Sequence, residues 1–509
     1  MLKDNILTAS NHRPGIETGA RLHNHFLTLT DLPTGPNPDT FLALGMPAPR
    51  FQLPQIPKLM NQHVVAIFGG AVSGAEAAHQ LTQQNIRCIV FEQNLLPYGK
   101  IEDGLPKWHA KLRDKEEANI DEKLSHPLVT FVPGVKLGRD LDFEDVVQNW
   151  GFSAIFLATG AWRDRPLAIP GIDDYIGKGF YYQNPFIYWY NHKHEPDYKG
   201  EQCEVADGAL IIGGGLASID VAKAIMMELV EKKLAERGIE VNMFDLERGI
   251  SKVLESHKLT LDDLGLKGCT IVYRRRIKDM PLYPGPTDTP EELAKAQTVR
   301  EKVLNNAAEK FLFKVMPCHV PVDKIVENGR LAGLVLRETK IEDGRVIELP
   351  GTEKEVRSPL VISSIGSIPE PIPGIPMRGQ VFDVEEDECC KLKGFANVFA
   401  LGNAVTGRGN IKESMAHGRT VAQTIAMNYL IDPEGNVNEA FRNKEARVDN
   451  VMNDLQASLN GIKPPDENQL TAIMQRVKLL QSKVGYDGNY KAWIEKHKPV
   501  RLEELVGHQ

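Results

Sequence analysis

The chain has 509 residues, too many for one hydrophobic core, so roughly two to four structural units are expected. Its formal net charge of -8 and isoelectric point near 6.0 give no reason to expect nucleic acid or an anionic membrane as the main partner. No run of about 18 apolar residues is present, so no membrane span is expected, and the opening MLKDNILTASNHRPG has no apolar core of the secretory kind.

Residues 1–61 are rich in Pro, His and Asn and hold no sustained period, which predicts an irregular arm. His12, His23 and His25 have no carboxylates or cysteines at a ligand spacing, so no metal site is read there. Residues 64–68 are then a short β-rich run stopped by glycines, the pattern of a strand buried on both faces. The turn Gly69-Gly70-Ala71-Val72-Ser73-Gly74 follows. It fits the dinucleotide fingerprint except at Ala71, where a glycine normally lets the backbone approach a pyrophosphate. A helix over 73–83 would aim its N-terminal amides at that group. The next strand, 88–91, ends at Glu92, and a carboxylate there accepts from an adenosine ribose and repels a 2′-phosphate, which suits FAD or NAD and opposes NADP. Alone, this motif is equally compatible with a plain strand-helix turn.

The stretch 93–124 reads as a glycine-containing loop and a charged helix, and a loop leaving this strand is placed to meet an isoalloxazine ring. A strand at 129–132, a helix over 143–150 and a strand at 154–157 follow, the last ending in Ala158-Thr159-Gly160, small residues that suit a chain passing beneath a bound dinucleotide. Pro166, Pro170 and Gly171 mark a domain boundary.

A second copy then appears: a strand at 209–212, the turn Gly213-Gly214-Gly215-Leu216-Ala217-Ser218, and a helix over 219–230. Ser218 replaces the third glycine, pushing helix and strand apart in the manner of NADP sites. After a charged helical insert, 231–267, the strand 269–273 ends in Arg274-Arg275-Arg276 where the first copy has Glu92. Guanidinium groups pair bidentately with phosphate, so this position selects for the 2′-phosphate of NADP(H); a solvated basic turn is the alternative. Residues 291–310 read as a helix, 330–349 as a hairpin turning at Glu342-Asp343-Gly344, and 360–365 as a strand leading back out through Gly366 and Pro369. A strand at 398–401 runs into the turn at Gly402 and Asn403, ahead of Gly407, Asn410, Ile411 and a helix over 412–429. The tail offers Trp493 as its one large anchor. Six cysteines form no C-x-x-C, which argues against an iron-sulfur cluster or redox disulfide of that type and for a reducing, cytoplasmic setting.

The fold class expected is α/β, with two Rossmann-like dinucleotide-binding domains. A discontinuous FAD domain would take 62–165 and 375–430, an NADP domain 166–374, with an arm at 1–61 and a helical extension at 431–509.

In its less generic segments the chain resembles the adrenodoxin reductase type of ferredoxin-NADP reductase, among the two-dinucleotide-domain flavoproteins. The resemblance lies in LLPYGK at 95–100, GRDL at 138–141, IPGI at 169–172, FIYWYNH at 186–192, GGGLASIDVAKAI at 213–225, IVYRRR at 271–276 and VISSIG at 361–366, across roughly 62–430. The β-subunit of glutamate synthase is the nearest rival, its YRR and Met-Pro echoed at 273–275 and at Met280-Pro281; that subunit normally carries a cysteine-rich arm, and the arm here has no cysteine. The resemblance implies that Gly69, Gly70, Ala71, Gly74 and Glu92 hold the ADP half of FAD, with Ala158, Thr159 and Gly160 beneath it and Pro97 and Gly99 beside the flavin. It implies that Gly402, Asn403, Gly407, Asn410 and Ile411 surround the isoalloxazine and ribityl end, and that Gly213, Gly215, Ser218, Arg274 and Arg275 hold NADP(H). Asn403 stands where many relatives have aspartate. His109 is similar in placement to a histidine near the flavin and is the candidate catalytic residue, a surface histidine being the alternative. The implied reaction passes hydride from NADPH to FAD and electrons onward to a ferredoxin-like iron-sulfur protein. The alternatives are an electron-input subunit of a complex whose partner carries the clusters, or a degenerate flavoprotein kept as a structural subunit. Arg300, Lys302, Lys310 and Lys314 form a candidate basic docking face.

Overall fold

A computed structural model describes residues 63–385, 389–406, 411–426, 430 and 464–507. The arm and the expected ligands Gly407 and Asn410 lie outside the described residues.

Two parallel sheets carry the molecule. The first has five strands in the order Val398–Ala400, Ala154–Leu157, Val64–Phe68, Arg87–Glu92 and Val129–Pro133. All five residues of its central strand are buried. Val65 and Ile67 join the core under the helices Val72–Thr82, Ala110–Leu124 and Ile411–Ile425. Val64, Ala66 and Phe68 join the opposite core, under Phe143–Asn149 and Glu467–Val484. Because both faces are covered, the strand reads as an unbroken apolar run.

The second sheet runs Phe180–Tyr182, Val361–Ser364, Leu210–Gly213, Thr270–Tyr273 and Lys314–Pro317, again all parallel. Its glycine-turn helix spans Leu216–Ala235, five residues past the expected end at 230, because EKKLA continues in good helix formers and no breaker comes before Gly238. The expected helical insert resolves into two short helices, Met243–Glu247 and Ile250–Ser256.

A separate antiparallel layer joins His319–Glu327, Arg330–Glu342, Arg345–Glu348 and Lys354–Arg357. The hairpin turns at Asp343 and Gly344 with φ of 47° and 74°, the double positive φ that an Asp-Gly pair accepts. The chain leaves the first sheet through Arg163–Asp164 and returns through Ser367–Ile368, and these two short strands pair antiparallel with each other. The tail docks as Glu467–Val484, Tyr490–His497 and Leu502–Leu505, the first opened by an Asp466–Gln469 capping box. Among the described residues no helix is long and apolar enough to cross a membrane.

Candidate functional site

Each small residue of the first turn is required by what faces it. Gly69 has φ +105°, and a Cβ there would lie 2.3 Å from the Ala158 carbonyl oxygen. One on Gly74 would lie 1.8 Å from the Gly69 carbonyl oxygen, so the helix can sit this close to the strand only with glycine. Ala71 breaks the glycine pattern and is opposed by Gly99, where a Cβ would come within 3.0 Å of the Ala71 methyl. A Cβ on Gly70 would meet Pro97 at 3.0 Å. The Gly70 amide donates to Glu92 Oε2 at 2.8 Å and the Asn94 amide to Oε1 at 3.0 Å. Burial nevertheless pushes the Glu92 carboxyl up to about 7. Gly402, φ +60°, packs on Ser73 and donates its amide to His417 Nδ1 at 3.0 Å, so that N–H is spent within the fold.

These residues open onto a cleft of about 710 Å³, within the range of small-molecule and cofactor sites. Gly69, Ala71, Glu92, Gly99, Ala158, Thr159, Gly160, Asn403 and Ile411 line it. Leu216, Ala217 and Asp220, at the start of the helix that follows the second glycine turn, line it too.

The second turn repeats the steric logic with different chemistry. A Cβ on Gly213 would meet the Ser364 carbonyl oxygen at 2.1 Å, and one on Gly214 the Tyr273 ring at 2.2 Å. Gly215 alone faces open space, with nothing nearer than Pro281 at 4.0 Å. Ser218 is fully buried and does not face the cleft: its hydroxyl bonds the carbonyl and hydroxyl oxygens of Ser364, each at 3.1 Å, stitching helix to strand from beneath. The three arginines also part company. Arg274 is exposed. Arg275 donates to the Gly344 carbonyl at 3.1 Å, and Arg276 grips Asp279 through bonds of 2.7 and 2.9 Å. None of the three lines the cleft.

His109 does line it, and its Nε2 lies 4.0 Å from Asp220 Oδ1. Burial and then the Lys223 charge lower the His109 pKa, while burial lifts Asp220 to about 6. Burial thus works against charge on both groups.

Lys100, next to Gly99, was not picked out from the sequence. Its Nζ donates to Asn184 Oδ1 and Ser367 Oγ, both at 3.0 Å, and burial lowers its pKa to about 8. A lysine directly after the glycine that opposes Ala71 was the available signal. Its partners come from residues 184 and 367, which only the folded topology brings together. Glu102, His192 and Glu195 also converge in the manner of a metal cage, but they are already engaged in ion pairs. Glu102 pairs with Arg501, and His192 sits 2.6 Å from Glu195 and 3.3 Å from Asp103. Burial works against a charge on His192, yet the two carboxylates outweigh it and lift the imidazole to about 9.

The solved structure of Mycobacterium tuberculosis FprA in complex with NADPH superposes with a TM-score of 0.58 at 19% identity, covering 83% of this chain and 91% of that one. The chain shares the fold of that protein. The NADPH-Fe(3+) oxidoreductase subunit beta of Geobacter sulfurreducens is 25% identical over 326 residues, 62% of this chain and 39% of that protein. This chain thus corresponds to about two fifths of that relative's length. The mitochondrial NADPH:adrenodoxin oxidoreductase of Arabidopsis thaliana is 25% identical over 354 residues, 61% of this chain and 69% of that protein. No protein-family model matches the chain.

Proposed function

We propose that the chain is an NADPH-dependent flavoprotein reductase that passes electrons to a small iron-sulfur protein. The observation that carries this reading is the pair of sterically enforced glycine turns, with His109 and Asp220 meeting in one cleft. The names of the Arabidopsis relative and of the mycobacterial NADPH complex support it. FAD fits the first turn, since Gly69 and Gly74 let strand and helix pack closely enough for the turn to open onto the cleft, and the buried Glu92, which lines that cleft, keeps unused lone pairs for a ribose. Bound there, FAD would supply the hydride acceptor and the one-electron donor. The chain's share is orientation and electrostatics. Gly69, Gly70, Ala71, Gly74, Pro97, Gly99 and the 158–160 turn shape the ADP and flavin walls. Gly402, Asn403 and Ile411 close the far end. Gly213 and Gly215 open the second turn to NADP(H), with Arg274 nearest to free for its 2′-phosphate. With the cofactors bound, His109 and Asp220 would be the acid–base pair of the cleft.

Purified protein should be yellow, with absorbance near roughly 450 nm as flavin chemistry requires, and NADPH should bleach it anaerobically. Added ferredoxin should then carry electrons to cytochrome c. Colourless protein that takes up no FAD would return the chain to the structural-subunit reading.

A second reading, an electron-input subunit of a larger enzyme, is favoured by the Geobacter relative being a β subunit. The basic docking face is also thinner than the residue types imply: Arg300 donates to the Lys278 carbonyl, and Lys310 lies over the Phe311 ring and 3.9 Å from Glu247. NADPH bleaching without ferredoxin dependence would select this second reading. Cys88, Cys203, Cys269 and Cys318 form no disulfide, which supports a reducing compartment such as the cytoplasm.

A further inference from the structure

The C-terminal segment grips the cleft's loop from behind. Trp493 donates its indole N–H to the Leu95 carbonyl at 2.7 Å. The hydroxyls of Tyr490 and Tyr98 converge on Asp121, at 2.8 and 3.0 Å. Arg501 reaches furthest: Nη1 lies 2.5 Å from both oxygens of Glu102, and Nη2 lies 2.8 and 3.0 Å from those of Glu117. The other side of this stretch is the cleft wall, formed by Tyr98, Gly99, Lys100 and Ile101. The helix Lys100–Asp103 therefore carries Lys100 and Ile101 into the cleft wall and Glu102 onto a guanidinium 399 residues further along the chain.

Glu102 and Glu117 are buried like charges, their side chains 11% and 4% exposed. Two carboxylates so placed cannot both stay ionised without a cation between them. Burial raises Glu102, but the Arg501 charge outweighs it and leaves that carboxyl below its ordinary value. Burial and the neighbouring Glu102 leave Glu117 above its own. The remaining charges here are Arg113, 3.9 Å from Glu117 and itself paired with Glu503, and the Asp103–His192–Glu195 chain behind Glu102. Lys107 and His194 line the same small hollow.

We propose that Arg501 is a positioning residue for the cofactor: by bridging Glu102 and Glu117, the docked C-terminal segment fixes the wall of the cleft formed by residues 99–103, so that cofactor retention depends on tail docking. This rests on the reading of the cleft as an FAD site.

The test is FAD affinity by fluorescence titration at about pH 6 and about pH 9.5, below and above the value of about 8 to which burial and Glu102 raise the Glu117 carboxyl. Arg501→Gln should weaken FAD by about tenfold or more at the higher pH and by clearly less at the lower, where one carboxyl takes a proton in place of the lost cation. Arg501→Lys should recover most of the loss. A triple variant, Arg501→Gln with Glu102→Gln and Glu117→Gln, should recover affinity and lose the pH dependence. If Arg501→Gln does not fold, Trp493→Phe is read instead, since it keeps the ring and deletes the N–H that holds Leu95; weaker FAD binding is expected. Wild-type affinity in whichever variant folds overturns the proposal. So does a loss equal at both pH values that the triple variant fails to recover. Wild-type protein that binds no FAD overturns the parent reading; tight wild-type binding beside an unaffected Arg501→Gln overturns this inference alone.

Discussion

Tyr273 stands in the second sheet at the register position that Glu92 holds in the first. Phe68 pairs with Phe91 and Ile212 with Val272, so the residue after each pair lies beside the first glycine of its turn. An aromatic ring against Gly214 has replaced the carboxylate that caps Gly70. The arginine run begins one residue further out than the position read from the sequence, and along a strand one step reverses the face.

The three arginines should therefore be unequal. Arg274→Ala removes the exposed guanidinium and should weaken NADPH by about 1.5–3 kcal/mol, the scale of a charged hydrogen bond, while leaving NADH unchanged. Arg276→Ala should matter far less, since Arg276 is already held by Asp279. Dissociation constants for both nucleotides against each variant decide it, and a larger effect at Arg276 would mean that the phosphate sits elsewhere.

Gly74→Val should give colourless protein. The new Cβ would be 1.8 Å from the Gly69 carbonyl oxygen, a backbone atom that cannot swing away, so helix and strand must part and the amide cradle with them. The ratio of flavin to protein absorbance reports this directly. A fully loaded variant would place the flavin away from this turn.

The sheets were legible because their strands are covered on both faces: VVAIF at 64–68 and LII at 210–212 show no polar alternation. The strand His319–Glu327 went unread because none of its residues is fully buried, and its apolar positions are diluted by charges. Ser218 was visible as a departure from glycine, but its bond to Ser364, 146 residues away, was not. Asp220 lay inside a motif read only for its glycines. Helical spacing puts it on the same face as Leu216, four residues earlier, and both line the cleft.

The Asp220 carboxyl gives the last prediction. Its ordinary value is 3.8, and burial raises it to about 6 in the fold against the opposing pull of Lys223. The folded chain thus holds this proton more tightly than the unfolded chain. The resulting stability is complete below the unfolded value and is lost as pH rises through about 6. His109 cannot compensate, because a histidine only loses positive charge as pH rises and burial favours its neutral form. Asp220→Asn removes the buried charge but keeps the shape. It should raise stability above wild type near pH 8 by about 1–2 kcal/mol, after discounting for the 24% of the side chain that water reaches, and the gain should vanish near pH 4. Paired thermal melts of the two proteins across that range measure it. A difference that stays flat with pH would mean that Asp220 ionises like a surface carboxylate, and the acid–base role assigned to the His109–Asp220 pair would fall with it.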